Sequence, residues 1–297
     1  MCNANSLPLV SIITLTYNRF EKLIKTIDSV FEQNYCNLEY IICDDGSDHF
    51  PTKIIEQYCK IGKQITLIKH PNVGTVKNFN IAIKQCHGKY IIPLSANDYF
   101  ASKETVNRIV EKFEKTKANI ITAKMARISN TGEVVEIVPK KRKTDLLRFG
   151  NNELIFKELC VSSFISGACT YYSREIINKY RGFNEKYRLI EDFPFYAKFL
   201  LDGGRIEFLD EITINYDLNG ITSNKKFSPL LLNDRKRYYQ EFVWNNISGM
   251  PHIQKQELRF RYFQMCGSNN KIIYLLQLFS CMDFICIKLI KKILKME

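Results

Sequence analysis

The sequence is poor in the residues and patterns that mark several special classes of protein. It has 13 glycines, 8 prolines and 1 tryptophan in 297 residues, which excludes collagen and Pro/Gly-rich disordered chains. Its 10 cysteines are scattered, with no CxxC pair and no histidine at zinc-ligand spacing. A small disulfide scaffold and a zinc site are therefore excluded, and reduced thiols in a cytoplasmic protein are the simplest interpretation.

The sequence also lacks a segment that would export the chain or span a membrane. Residues 1–8 contain neither a basic region nor an apolar core, and the apolar run at 9–13 is too short for a signal peptide. The largely apolar residues 272–287 number sixteen before Lys288, fewer than the roughly 20 needed to cross a bilayer. We expect this segment to lie on the inner membrane surface, to pair with a partner or to pack on the core.

Positive charge exceeds negative charge, but it is spread thinly. Lys and Arg number 43 against 31 Asp and Glu, a net charge of +12. Residues 251–297 hold eight basic and three acidic side chains, a net +5, which leaves +7 for the first 250 residues. This dilution argues against a nucleic-acid interface. The 45% hydrophobic content is that of a folded globular chain with one large domain or one domain and an appendage.

Short β-branched runs alternate with amphipathic stretches, which predicts an α/β fold. Strands are expected at 9–15, 38–43, 65–69, 90–94, 119–124, 133–138, 168–172, 205–209 and 212–216. Helices are expected at 20–31, 52–59, 76–86, 103–115, 153–159, 191–201, 230–243, 253–265 and 271–295. Residues 139–143, with four successive basic side chains, are interpreted as a solvated loop.

Polar motifs follow three of the predicted strands and begin one helix, the places where an open α/β sheet positions its ligands. A carboxylate at a strand end can accept a base N–H or a ribose hydroxyl, and an aspartate beside an amide oxygen can hold Mg²⁺ or Mn²⁺. Each motif alone also fits a turn or a helix cap. The four are Thr16-Tyr17-Asn18-Arg19, Asp44-Asp45-Gly46-Ser47, Ser95-Ala96-Asn97-Asp98 and Glu191-Asp192.

The order and spacing of these motifs resemble the inverting family 2 glycosyltransferases, which have the GT-A fold. The resemblance implies a Rossmann-like, mostly parallel central sheet flanked by helices. Residues 1–225 would form the GT-A domain and residues 226–297 a basic, amphipathic helical extension. The similarity covers about residues 8–220 and rests on the segments 9–18, 40–47, 72–80, 88–98, 166–182 and 191–192.

The resemblance implies a nucleotide-diphosphate sugar as donor. Thr16, Tyr17 and Asn18 would line the nucleotide pocket, with Asp45 on a uracil or thymine N3–H and Asp44 close by. Lys77 stands where the family usually has arginine and would offer a point charge to the nucleotide or the diphosphate.

The resemblance also implies a divalent cation, Mn²⁺ or Mg²⁺. The family typically has an Asp-x-Asp-Asp run, of which this chain keeps only the last acid. Asp98 is the expected metal ligand, and Asn97 is a weaker, neutral partner on the nucleotide side. The incomplete motif predicts weakened cation binding.

Catalysis is assigned by the resemblance to the acidic pair, with Asp192 as general base and Glu191 as the neighbour that raises its pKa. Lys225 and Lys226 lie in a segment that closes over the diphosphate in relatives, although solvated lysines are the simpler interpretation. The segment at 166–182 is expected to shape the sugar and acceptor side.

These features predict an inverting glycosyltransferase of surface polysaccharide synthesis. Its acceptor would be a glycan or a lipid-linked oligosaccharide, and the basic C-terminal helices would contact the inner membrane surface or pair two subunits. The alternatives are a transferase to a lipid phosphate, a nucleotidyltransferase, and a non-catalytic binding protein with a decayed metal site.

Overall fold

The computed structural model describes residues 7–129, 131–218, 228–267 and 271–293, and within them strands and helices alternate from the start of the chain. The strands are β1 (Val10–Thr16), β2 (Leu38–Asp44), β3 (Thr66–Lys69), β4 (Tyr90–Pro93), β5 (Tyr99–Phe100), β6 (Ile120–Ile128), β7 (Val134–Val138), β8 (Thr170–Ser173) and β9 (Ile206–Asp217).

Most of the helices follow a strand and return the chain to the sheet. They are α1 (Leu23–Phe31), α2 (Thr52–Lys60), α3 (Thr75–Lys84), α4 (Thr105–Thr116), α5 (Lys141–Phe149), α6 (Asn152–Val161), α7 (Arg174–Tyr180), α8 (Asp192–Leu201), α9 (Pro229–Tyr238), α10 (Trp244–Asn246), α11 (His252–Cys266), α12 (Lys271–Phe279) and α13 (Met282–Ile293). A π-helical turn, Tyr239–Val243, joins α9 to α10.

All nine strands belong to one sheet of order β3-β2-β1-β4-β8-β6-β9-β5, with β7 paired to β6 beside this path. The β3-β2-β1-β4 half is parallel throughout. The other half is mixed, because β8 runs antiparallel to both of its neighbours while β6 and β9 are parallel. The predicted α/β sheet flanked by helices is confirmed, and its continuous parallel part is the β3-β2-β1-β4 half, with β6 and β9 as a further parallel pair.

Both faces of the sheet are covered, which explains why the strands are apolar on both sides. Successive side chains of a strand point to opposite faces, so Ile12 packs with α1, α2 and α4 while Ile13 packs with the remaining layer. The covering helices have matching stripes: α4 buries Val106, Ile109, Val110 and Phe113, the i, i+3, i+4, i+7 pattern.

Helices beyond the predicted boundary at residue 225 share the core of the α/β domain. Tyr238, Val243 and Leu258 belong to the same buried cluster as Ile190 and Phe195. The boundary therefore falls between elements that pack together. The predicted diphosphate lysines, Lys225 and Lys226, lie outside the described residues.

Three local predictions are wrong, each for a physical reason. The basic loop at 139–143 instead starts α5, whose Leu147 is buried against the sheet. The strands predicted at 205–209 and 212–216 are one strand, β9, with register shifts opposite Ala123–Met125. The helix predicted at 271–295 is two helices, α12 and α13, whose axes are bent by 72°.

The cysteines follow the prediction of reduced thiols with one exception. Eight of the described cysteines are free. Cys36 is disulfide-bonded, so the expectation of reduced thiols throughout the chain is wrong at that position.

Candidate functional site

The turns after β1 and β2 are joined by hydrogen bonds at the carboxyl edge of the parallel half-sheet. The Asn18 backbone N–H donates to Ser47 Oγ (2.8 Å), and Asn18 Oδ1 accepts the Asp48 N–H (3.0 Å). Thr16 is buried, with its hydroxyl donating to the Arg19 carbonyl (3.2 Å). Tyr17 between them is 45% exposed. The structure therefore brings the two predicted nucleotide turns together and leaves the Tyr17 ring accessible to a ligand.

The two aspartates of the second turn have different partners. Asp44 is fully buried and accepts from the backbone N–H and hydroxyl of Ser47 (3.0 and 2.5 Å), so its carboxylate closes its own turn. Asp45 reaches across to the loop before α3, where its two oxygens accept the N–H groups of Val73 (2.7 Å) and Gly74 (2.9 Å). Asp45 thus fixes the backbone beside the predicted nucleotide pocket, and each oxygen keeps a lone pair for a further donor.

Gly46 and His70 complete the surroundings of Asp45. Gly46 has a φ of +78°, and a Cβ there would lie 2.7 Å from the Asn72 nitrogen, so only glycine fits the close approach of the two loops. His70 lies with its Nδ1 3.7 Å from Asp45 Oδ1. No motif in the sequence marks this histidine, so sequence reasoning missed its position beside the predicted base-binding carboxylate.

Lys77 and Arg188 are basic side chains near the N-terminus of α3. Lys77 is exposed on the first turn of the helix. Arg188 arrives from the loop before α8: its carbonyl accepts the Val76 N–H (3.2 Å) and its guanidinium donates to Asn72 Oδ1 (2.9 Å). A Cβ on Gly74 would lie 2.5 Å from Arg188 Cγ. This loop connects the donor side of the site with the catalytic pair.

The Asn97 side chain is hydrogen-bonded to the residues just before α1. Its Oδ1 accepts the Lys22 N–H (2.9 Å), and its Nδ2 donates to Glu21 (2.7 Å). The residue has a φ of +81° and is buried. Both ends of the amide are therefore engaged within the protein, and its role toward a nucleotide stays a prediction.

Asp98 lies behind Asn97, buried between the sheet and α1. Its Oδ1 accepts the Asp217 N–H (2.9 Å), and its Oδ2 is buried with no hydrogen-bond partner. Burial raises the pKa of Asp98 to about 7, against the lowering effect of the Asp217 N–H. The nearby Asp217 carboxylate is ion-paired with Lys22 Nζ at 2.8 Å.

A protein-held divalent cation needs several oxygen ligands that can reach it together. Asp98 offers one free oxygen, which is closed off from solvent, and its neighbours Asn97 and Asp217 are already engaged. Among the described residues no group of three His, Cys, Asp or Glu side chains could hold a metal. The residues around Asp98 do not fit a cation held by the protein alone.

The predicted catalytic pair converges on a glycine. Glu191 and Asp192 begin α8, and a Cβ built on Gly167 would lie 3.2 Å from Asp192 Oδ2 and 3.3 Å from Glu191 Oε1. Gly167 belongs to the 3-10 turn Gly167–Cys169 that leads into β8. Both acids are partly exposed, and the lack of a side chain at Gly167 lets the two carboxylates lie close to this turn.

The surroundings of the pair favour one ionised and one protonated carboxyl. Burial raises the pKa of both carboxyls, and the charge of Asp192 raises that of Glu191 further. Asp192 is held lower by backbone N–H groups, among them that of Phe193 at 2.8 Å from Oδ1, and by the positive charge of Arg235. Glu191 therefore keeps its proton first, and Asp192 is the member that ionises and can act as a base.

Asp234, on α9, holds the loop that precedes the pair. Its buried carboxylate accepts the backbone N–H groups of Arg188 (2.9 Å), Leu189 (2.6 Å) and Ile190 (3.2 Å). Sequence reasoning missed this residue because it lies 42 positions beyond Asp192 in a helix judged to be an extension. An aspartate on a largely apolar and basic helix is not a specific sequence signal for such a role.

A search of protein-family models matches residues 11–181 to the family described as glycosyl transferase family 2. The matched segment is more than half of the chain and contains the donor turns, Lys77, Asp98 and Gly167. The catalytic pair lies just beyond it.

Among curated proteins, the chondroitin synthase of Escherichia coli is 26% identical over 220 residues, which cover 74% of this chain and 30% of that protein. The chain therefore spans less than a third of that relative.

Solved structures share the fold at low sequence identity. The S. aureus protein TarS in complex with UDP-GlcNAc has a TM-score of 0.60 and 18% identity, covering 87% of this chain and 82% of that one. The mannosyltransferase PcManGT from Pyrobaculum calidifontis, in complex with GDP-Man and Mn²⁺, has a TM-score of 0.61 and 14% identity, covering 96% and 75%.

Proposed function

The chain belongs to glycosyl transferase family 2, and we propose that it moves a sugar from a nucleotide-diphosphate sugar to a hydroxyl of a glycan acceptor with inversion. The observation that carries the proposal is the convergence of Glu191 and Asp192 on Gly167, connected through the Arg188 loop to the turn that Asp45 fixes. A carboxylate base and a strand-end carboxylate for a nucleotide are the two parts that such a reaction needs.

The donor is proposed to be a UDP-sugar. Asp45 keeps a lone pair on each oxygen after accepting the Val73 and Gly74 N–H groups, which suits the N3–H of uracil. Tyr17, exposed beside it, offers a ring face to the base or ribose. The complex of TarS with UDP-GlcNAc supports a nucleotide sugar, while that of PcManGT with GDP-Man makes a guanine donor the alternative to test.

The transfer is proposed to occur in one displacement. Ionised Asp192 removes the proton from an acceptor hydroxyl, and that oxygen attacks the anomeric carbon from the face opposite the diphosphate. The new glycosidic bond forms as the bond to the diphosphate oxygen breaks, so the configuration inverts. Protonated Glu191 keeps a second negative charge away from Asp192.

Neutralising the diphosphate is assigned to the chain's own basic groups together with any cation that the donor brings. A bound Mn²⁺ or Mg²⁺ would polarise the leaving phosphate, and the Mn²⁺ in the PcManGT complex supports a divalent cation in this fold. Asp98 as its ligand stays a prediction that the contacts of Asp98 do not favour. Lys77 and Arg188 border the donor loop and carry the positive charge available there.

The acceptor is proposed to be a growing surface polysaccharide or a lipid-linked oligosaccharide, met on the cytoplasmic side of the membrane. The similarity to chondroitin synthase supports a polysaccharide product. A lipid phosphate as acceptor is the alternative.

A donor screen tests the proposal. The purified chain is mixed with UDP-, GDP- and dTDP-sugars, with EDTA, Mg²⁺ or Mn²⁺, and thermal stabilisation and slow donor hydrolysis are measured. We expect a UDP-sugar to stabilise the chain, Asp45→Asn to weaken that stabilisation, and Asp192→Ala to abolish hydrolysis while keeping donor binding.

The matched control for Asp45→Asn is Asp28→Asn, since Asp28 is an exposed aspartate on α1, outside the predicted nucleotide turns, whose carboxylate accepts the Tyr58 hydroxyl. Stabilisation by GDP-sugars alone would overturn the uracil assignment. An absence of stabilisation by every sugar nucleotide would favour a binding protein that has lost the reaction.

A further inference from the structure

The last two helices, α12 and α13, form a bent pair. The residues at the bend, here called the elbow, contact the rest of the protein. Cys281, between α12 and α13, is fully buried. The Phe284 N–H donates to Gln256 Oε1 of α11 (2.8 Å), and Gln256 also donates to Asp283 (3.1 Å). The Phe284 ring packs on that of Phe260 at 5.7 Å between centroids. The elbow is therefore held by specific contacts, while both arms extend from it.

Helix α12 exposes apolar side chains around its whole circumference. Five successive residues are each between 41% and 69% exposed: Ile272, Ile273, Tyr274, Leu275 and Leu276. Successive helical residues are separated by about 100°, so these five apolar side chains are spread around the helix, while the polar Gln277 is half-buried. A protein partner would cover one stripe of such a helix, whereas an apolar medium surrounds all of it. Exposure of helix α12 to water is therefore unfavourable.

Helix α13 combines exposed apolar residues with a cluster of lysines. Leu289, Ile290 and Ile293 are 55%, 54% and 77% exposed. Three lysines, Lys288, Lys291 and Lys292, are exposed among them, and Asp283 at the elbow is the only acidic residue of the helix. Side chains of this kind match the boundary between anionic headgroups and acyl chains, with the lysines on the phosphates.

We propose that α12 and α13 insert into the interface of an anionic phospholipid bilayer and dock the protein there. In the part of the chain that the structure describes, no single helix is long and apolar enough to cross a membrane, and α12 with α13 pass such a test only as a pair bent by 72°. Two arms at this angle fit the surface layer of a bilayer. The proposal goes beyond the transfer reaction and does not depend on it.

Vesicle flotation tests the proposal with the full-length chain. Vesicles of phosphatidylcholine with phosphatidylglycerol are compared with vesicles of phosphatidylcholine alone, at low and high salt. We expect the chain to float with the anionic vesicles. Leu275→Asp combined with Leu276→Asp should reduce the bound fraction at least about tenfold, because two charges enter the apolar arm.

The lysines provide an independent variant. Replacing Lys288, Lys291 and Lys292 by glutamine should weaken binding to anionic vesicles by roughly a hundredfold, since each cation near such a surface contributes on the order of a fivefold gain in affinity. The same variant should remove the salt dependence and leave the weak binding to phosphatidylcholine unchanged.

The matched controls are Ile61→Asp and Phe149→Asp, two apolar side chains that are 72% and 82% exposed on other elements. They should float like the wild type. The midpoint of thermal unfolding of every variant, measured without a donor, checks that the α/β domain is folded, and it keeps this test separate from that of the proposed function.

Two outcomes would overturn the proposal. One is equal flotation of the wild type and the Leu275/Leu276 variant. The other is that the wild type binds no vesicles and forms a dimer in sedimentation equilibrium, while this variant is a monomer. That result would show that α12 and α13 contact a second copy of the chain.

Discussion

The Asp234 carboxylate lies 2.6 Å from the backbone nitrogen of Leu189 and accepts its N–H. Two further N–H groups of the same loop, those of Arg188 and Ile190, point at the same carboxylate. A helix outside the segment that matches the family thus fixes the residues immediately before Glu191 and Asp192. The finding makes α9 a structural part of the site.

Asp234→Ala should slow the reaction more than it weakens donor binding. Without the carboxylate, three N–H groups lose their acceptor, that of Ile190 in a buried position, and the loop shifts the base, for which a loss of about 10–100-fold in kcat is expected. Steady-state kinetics with the donor screened above measure kcat and the donor KM separately.

Asp202→Asn is the control, because Asp202 is a surface residue at the end of α8 whose carboxylate accepts hydrogen bonds from Tyr180 and Lys198. Asp234→Glu tests position as opposed to charge and should recover part of kcat. A change confined to thermal stability, with kcat intact, would contradict the positioning role of Asp234.

Asp192→Asn should abolish transfer, and Glu191→Gln should largely preserve it. Loss of a general base is expected to cost about 10²–10⁴-fold, whereas glutamine keeps the neutral form that Glu191 has beside ionised Asp192. Single-turnover rates of the two variants decide which acid is the base. Equal losses would assign the proton transfer to the pair.

The pH dependence follows from the same pair. Because burial raises the pKa of Asp192 above its ordinary value, activity should fall as the pH drops through a value higher than that of an exposed aspartate, about 3.9. A pH profile of kcat/KM whose acidic limb lies at an exposed carboxylate's pKa would contradict the desolvated base.

Gly167→Ala should reduce activity with little effect on stability. The new methyl group would lie 3.2–3.3 Å from both carboxylates, close enough to displace them by a few tenths of an ångström. We expect about a tenfold or greater loss of kcat. Gly249→Ala, at a glycine without a positive φ whose new methyl group would lie 4.0 Å from the end of the Lys157 side chain, is the control for a general effect of adding a methyl group, measured with the same assay and by thermal unfolding.

Asp98→Asn should flatten the dependence of stability on pH. The pKa of Asp98 in the folded chain, about 7, is above its ordinary value, so ionising it costs stability. This cost is absent below about pH 4 and is complete above about pH 7. Between pH 5 and pH 8 the wild type should lose more unfolding free energy than the variant, by on the order of 1–3 kcal/mol.

Chemical denaturation at both pH values measures this difference, and a parallel loss in the two proteins would contradict it. Adding Mn²⁺ extends the test. Stabilisation of the wild type but not of the variant would show that Asp98 holds a cation after all.

The parallel half of the fold could be predicted from the sequence because its signals are local. The apolar run from Val10 to Thr16 and the turn of Asp44 and Asp45 follow one another at the spacing of a βα unit, and both turns lie at one sheet edge. The predicted catalytic pair came from the family resemblance. No local pattern in the sequence predicts that the two acids converge on Gly167.

The rest depends on contacts between distant residues. The resemblance predicts that Asp98 holds a metal. In the structure the Asp217 N–H donates to Asp98, and the Asp217 carboxylate is ion-paired with Lys22. Lys22 lies 76 positions before Asp98 in the sequence and Asp217 lies 119 positions after it. The break at Cys281 could not be predicted either, because periodicity alone does not say where a helix meets a second helix. Asp234 belongs to the same class of long-range contact.

The hydrogen bonds from Val73 and Gly74 to Asp45 are formed within the protein itself. The backbone beside the nucleotide is thereby ordered in advance, so the conformational entropy of that loop is lost on folding and not on binding. In the proposed reaction, the choice between donors then depends on how well the base fits the ordered backbone beside Asp45. Under the proposed function, the preference between a pyrimidine and a purine is then set by the folded chain before any donor arrives.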